Sequence, residues 1–121
     1  MKKQNIIKDK SFDFAIRIVN LYKVLTSEQK EYIMSKQVLR SGTSIGANIR
    51  EAHNAKSKAD FIHKLGIAQK ECDETLYWLE LPYATHYLDK ESFSSIYGEA
   101  EELLRIIKSI IISTKSNLNN S

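Results

Sequence analysis

Residues 40–61, RSGTSIGANIREAHNAKSKADF, carry two messages that pull against each other. Val38, Gly42, Ile45, Ile49 and Ala52 recur at steps of three and four, which is the spacing of one helix face. Yet Gly42, Thr43, Ser44, Gly46 and Asn48 are all poor helix formers, and an interior glycine alone costs about 1 kcal/mol against alanine. A helix that keeps such residues gains something else from them. Gly42, Gly46 and Ala47 let other helices approach closely. Beside the apolar line runs a polar one, Gln37, Ser41, Ser44, Asn48 and Glu51, uncharged except at its end. Such a row suits hydrogen bonds across a helix contact, an expectation that extends to Glu74 on the next helix.

Working outward, the same spacing recurs on both sides. Ser11 is the expected N-cap of a first helix reaching about Leu25, with stripes Phe14, Ile18, Leu21, Leu25 and Phe12, Ala15, Val19, Tyr22. Two stripes mean more burial than one neighbour provides. TSEQ, with Thr26 as cap and Gln29 three residues on, reads as a capping box opening a second helix that runs to about Ala55. Ser57 and Asp60 mark the start of a third helix with core stripe Phe61, Leu65, Ala68, Cys72, Thr75 and Leu79, which Pro82 ends or kinks near Leu81. A fourth begins near Asp89 or Ser92 and carries Phe93, Ile96, Ala100, Leu103, Ile107 and Ile110. Its acidic residues come early and its basic ones late, in accord with the helix dipole. The expected fold is all-α, an antiparallel up-and-down four-helix bundle in a single domain over 1–121, with 1–10 a flexible basic arm and 116–121 a flexible tail. Surplus apolar surface on the first and fourth helices predicts self-association.

The 121 residues suffice for one core, and only 4 Gly and 1 Pro favour long helices over many short strands. One cysteine excludes an internal disulfide and points to a reducing cytoplasm. The start shows no secretory signal. RIIKSIIIS, the most apolar run, is too short to span a bilayer, so no membrane partner is expected. Residues 1–70 hold 14 Lys/Arg against 6 Asp/Glu, a balance of +8, while residues 71–121 hold 4 against 9, a balance of −5. The asymmetry suggests a basic surface for an acidic partner, or opposite halves complementing each other inside one bundle.

Enzymatic chemistry finds little support. A di-iron bundle needs two Glu-x-x-His motifs and further glutamates; Asp60 with His63 is a single near miss that a solvated helix face explains. Glu71 and Glu74, one turn apart, read as carboxylates bonded to the second helix rather than an acid–base pair. Cys72 lies in a core stripe, as an inert thiol does. His53, His63 and His86 have no spacing that makes a triad or a zinc site. No catalytic residue, metal or cofactor is expected. Lys36, Arg40 and Arg50 share a helix face, and Lys56, Lys58 and Lys64 follow around the turn. These six are the candidate phosphate contacts, sequence-blind and salt-sensitive. In a ring of copies such weak sites would be linked and act together.

From about Phe12 to Ile110 the chain resembles the small four-helix-bundle proteins encoded in intervening sequences of large-subunit ribosomal RNA genes. That family is related to the accessory variability protein of diversity-generating retroelements. The resemblance rests on Gln37, Arg40, Ser41, Ser44, Ile45, Asn48, Ile49 and Glu51, followed by Glu74 and Trp78. Ala52-His53 replaces a glycine common after the glutamate, and Pro82 stands where leucine is common. The resemblance implies a barrel-like homopentamer with a basic surface, binding RNA or DNA, with a reverse transcriptase or another protein as a further partner. The expected function is therefore a non-enzymatic, oligomeric nucleic-acid binder of accessory or chaperone-like role. The alternative is a protein-interaction scaffold presenting its basic face to an acidic protein.

Overall fold

Four helices account for nearly all of the computed structural model, which describes the backbone of residues 2–120 and the side chains of 5–117. They are α1 (Lys2–Ser27), α2 (Met34–His53), α3 (Lys58–Ala84) and α4 (Lys90–Asn120). Among the described residues each helix packs on its chain neighbours, and α1 also packs on α4. The cross-helix contacts give the direction of each pair. On α2 and α3, Arg40 meets Glu71 and Glu74 while Glu51 meets Lys64. On α1 and α4, Lys10 meets Glu102 while Arg17 meets Glu99. Ile18 faces Gly42 and Ser11 faces Gly46 across α1 and α2, and Tyr83 stacks on Phe93 while Cys72 reaches Ala100 across α3 and α4. In every pair one number rises as the other falls, so neighbours run antiparallel.

The stripes that define the helices also define the core. Phe14, Ile18 and Leu25 of α1 meet Val38, Ile45 and Ile49 of α2, Leu65, Cys72 and Leu79 of α3, and Ala100, Leu103 and Ile107 of α4, all withdrawn from solvent. Each large aliphatic side chain so buried contributes about 1.5–3 kcal/mol. The small residues act where helices come closest. A methyl on Gly42 would lie 2.8 Å from Ile18, and one on Gly46 would lie 3.3 Å from the Ser11 carbonyl oxygen.

Several boundaries differ from expectation. Residues 2–10 form no separate arm: α1 is helical from Lys2, because Ile7 extends its apolar stripe into the core and Lys10 pairs with Glu102 at 3.1 Å, while Met1 lies outside the described residues. Ser11 is consequently not a cap. It is buried inside α1 and its hydroxyl donates to the Lys8 carbonyl. The C-terminal tail is likewise helical through Asn120, and the side chains of 118–121 lie outside the described residues. Thr26 opens no capping box, since its hydroxyl donates back to the Tyr22 carbonyl and α1 continues to Ser27. Lys30 then takes a left-handed φ of 56° and turns the chain. The acceptor that starts α2 is Glu31, whose carboxylate receives the N–H groups of Ile33, Met34 and Ser35 at 3.0, 2.9 and 2.7 Å. Ser57 caps α3 as expected, accepting from the Asp60 N–H at 3.1 Å. Pro82 neither ends α3 nor is exposed; the helix continues to Ala84, since a missing N–H so near the terminus costs one bond only. Asp89 caps α4, accepting from the Ser92 N–H and hydroxyl.

Candidate nucleic-acid interface

Antiparallel register sorts the six candidate cations into two kinds. Arg40 and Lys64 face α3 and α2 respectively, and both meet carboxylates. The Arg40 guanidinium bridges Glu74 at 2.5 Å and Glu71 at 3.2 Å. That hydrogen bond to Glu74, with the charge of Glu71 behind it, holds the Arg40 pKa above its ordinary value. Lys64 donates to Glu51 at 2.9 Å, and this bond raises its pKa as well. Both positive charges are thus answered within the chain. Lys36, Arg50, Lys56 and Lys58 are exposed and make no ion pair among the described residues. Lys36 sits on the first turn of α2, Arg50 on its last, and Lys56 and Lys58 at the turn into α3. The Arg50 guanidinium carbon lies 5.7 Å from the centre of the Phe12 ring, a cation–π distance that anchors it over α1.

The polar row of α2 behaves differently from expectation at four of its members. The Ser41 hydroxyl donates to the Gln37 carbonyl, Ser44 to the Arg40 carbonyl and the Asn48 amide to the Ser44 carbonyl. The Gln37 side chain accepts from Arg40 on the same helix. These groups close on their own helix because a carbonyl one turn back is always within reach, whereas a partner on the next helix must be supplied. Glu51 and Glu74 do cross the α2–α3 contact, through Lys64 and Arg40.

The chemical candidates stay apart. Cys72 is buried, its thiol hydrogen-bonded to the Ala100 carbonyl at 3.2 Å, and burial pushes its pKa up to about 12 with Asp73 adding to the effect. A thiolate nucleophile is disfavoured there. Among the described residues no three His, Cys, Asp or Glu side chains gather as a metal cage. No helix among them is long and apolar enough to cross a membrane.

Two features were not read from the sequence. One is Glu31, which is only 7% exposed. Burial pushes its carboxyl up, but the N–H groups of Met34, Ser35 and Ile33 outweigh that and hold its pKa below the ordinary value. The other is a groove of about 390 Å3 between α1 and α2, floored by Phe12, Ala15, Gly46 and Ala47 and edged by Lys8 and Arg50. Its signal was present as the second apolar stripe of α1, of which Phe12 stays 54% exposed. Ile16 on α1 and Ile112 on α4 are exposed as well.

Comparison with known proteins fits this architecture. The family described as 23S rRNA-intervening sequence protein matches residues 3–109. A crystal structure of a protein with unknown function from the S23 ribosomal protein family of Bacteroides thetaiotaomicron VPI-5482 is 60% identical to this chain. It superposes with a TM-score of 0.89 over 90% of this chain and 97% of that one. No curated protein matches. The extent of the family match, together with the four-helix architecture, shows that the chain belongs to the 23S rRNA-intervening sequence protein family.

Proposed function

We propose that this protein is a cytoplasmic, non-enzymatic, self-associating bundle that holds nucleic acid by its phosphates. The observation that carries the reading is the set Lys36, Arg50, Lys56 and Lys58, exposed along one edge of α2 and the turn after it with no carboxylate partner among the described residues. Arg40 and Lys64, already paired within the chain, contribute less. Single contacts of this kind are weak, and self-association, with a pentamer as the expected ring, links them.

A second reading has its own support. The groove along Phe12 and Ala47 has an apolar floor that phosphates do not need, and a protein partner or another copy would fill it. One titration separates the two. Labelled RNA and DNA are titrated with protein of known oligomer mass at low and moderate salt. Affinity that falls steeply with salt supports the phosphate reading, and each of the four cations changed to alanine lowers the slope of log K against log salt by about 1. Arg40→Ala changes it less. Absence of binding at low salt refutes the nucleic-acid reading.

A further inference from the structure

We infer that the groove between α1 and α2 seats Tyr77 of a second copy of this chain. The groove is concave, about 390 Å3, with Phe12, Ala15, Gly46 and Ala47 as its floor. Phe12 stays 54% exposed, so the fold leaves this apolar surface without a cover of its own. Three charged residues line it. Glu51 is answered by Lys64 at 2.9 Å, whereas Lys8 and Arg50 are exposed and make no ion pair among the described residues. Asp9 and Asp13 line the neighbouring cleft rather than this one. The charge left unanswered at the rim is therefore positive. The occupant these features ask for is a convex apolar group flanked by acids. A second groove cannot be that occupant, because two hollows do not fill each other and their basic rims would meet.

The chain itself carries such a group. Outside α1, the large apolar side chains exposed among the described residues are Tyr32, Ile33, Tyr77 and Ile112. Tyr32 and Ile33 lie in the turn before α2 between Lys30 and Lys36, and the acid beside them, Glu31, is turned inward onto the start of α2. Ile112 stands between Lys108 and Lys115, one helical turn to either side. Of the four, Tyr77 has acids at both neighbouring turns: Asp73 four residues before it and Glu80 three after, both exposed. Lys70 lies a further turn away. The Tyr77 ring is 55% exposed, and Trp78 meets it edge-on at 4.9 Å and holds its position. Glu80 accepts the Tyr97 hydroxyl at 2.8 Å, and its other carboxylate oxygen remains to accept. A knob ordered in this way before contact costs less to dock. The pairing joins two different surfaces, so copies follow one another head to tail, as in a ring, rather than face each other in pairs. The inference rests on the self-association in the function proposed above and says which surfaces make it. Arg50 borders both the groove and the phosphate edge, so it serves both.

The test uses the full chain and reads its oligomer mass and a cross-link. Tyr77→Ala and Ala47→Arg, both at exposed positions, should each raise the concentration at which half the chains assemble by about tenfold or more, measured by sedimentation. Far-UV circular dichroism checks that both variants stay folded. For the cross-link, Ala47→Cys places a thiol on the groove's floor and Asp73→Cys places one a turn from Tyr77. The native thiol, Cys72, is buried, so the wild-type chain is the blank. A short bismaleimide should link the doubly substituted chain into a ladder of copies and link neither single variant. Ala47→Cys linking to itself would mean that grooves face each other, which overturns this inference and leaves self-association standing. An assembly that survives Tyr77→Ala and yields no ladder does the same. Chains that stay monomeric at every concentration refute self-association and this inference together, while the salt titration still decides the phosphate reading.

Discussion

Gly42→Ala adds one methyl group where α1 and α2 come closest, and two opposing terms decide its effect. Alanine in place of a helix-interior glycine gains about 1 kcal/mol. Against this, the new carbon would lie 2.8 and 2.9 Å from the two γ carbons of Ile18 and 3.0 Å from its δ carbon. Carbon atoms rest at about 3.5–4.0 Å, so something must move. Ile18 cannot turn aside, being fully buried and held by β-branching to essentially one rotamer in a helix. Overpacking of this kind costs about 1–3 kcal/mol, so a net loss of about 1 kcal/mol is expected. Gly66→Ala is the control. Nothing lies within 4 Å of the position its methyl would occupy, so only the gain of about 1 kcal/mol applies. Urea unfolding followed by far-UV circular dichroism reads both, and a shift of about 4 °C per kcal/mol is expected in thermal scans of a chain this size. Removing the obstacle provides a further check: Ile18→Ala should cost less in the Gly42→Ala background than alone, because the added methyl partly fills the hole. Gly42→Ala stabilising the protein as much as Gly66→Ala does would refute the close-packing account.

Glu31→Gln should cost about 1 kcal/mol at neutral pH, the worth of a helix cap. Glu31 has its folded pKa lowered from 4.5, so its contribution is whole above that pH and fades as pH falls below it, where the folded carboxylate must also protonate. The stability gap between wild type and variant should therefore shrink on acidification, and a gap constant across that range would refute the capping role. Cys72, with its pKa pushed up to about 12 by burial, should resist a thiol alkylating reagent at neutral pH and react once urea unfolds the chain. Native labelling at the rate of a free thiol would show that the α3–α4 contact opens.

Much of the fold was legible because apolar periodicity is a local property. Val38, Ile45 and Ile49, or Leu65, Cys72 and Leu79, sit at helical spacing whatever they pack against, and all are buried. Caps were less legible. Ser57 followed by Asp60 gave a correct start, but Thr26 and Gln29 offered an equally good pattern while the hydroxyl of Thr26 was already bonded to Tyr22. Glu31 took the capping role from four residues upstream of Ser35, a position that only the turn through Lys30 brings within reach. The arm was misread for a related reason. Lys2, Lys3, Lys8 and Lys10 dominate its composition, and a single Ile7 in register with the core outweighs them.

The candidate site divides along the same line. By itself the sequence determined that six cations cluster on the second helix, the turn beyond it and the start of the third, and that Gly42 and Gly46 lie where another helix comes close. Only the tertiary structure decided which of those charges are answered. Antiparallel register sets Glu71 and Glu74 against Arg40 and Glu51 against Lys64, and it leaves Lys36, Arg50, Lys56 and Lys58 without such partners among the described residues. It also brings the far end of α4 to the α2–α3 turn, closing a cleft from residues some sixty positions apart. The physical reason is one of range. Periodicity and composition are set within a turn or two of chain, whereas charge pairing and cavity shape depend on which helices are neighbours and how they slide along one another.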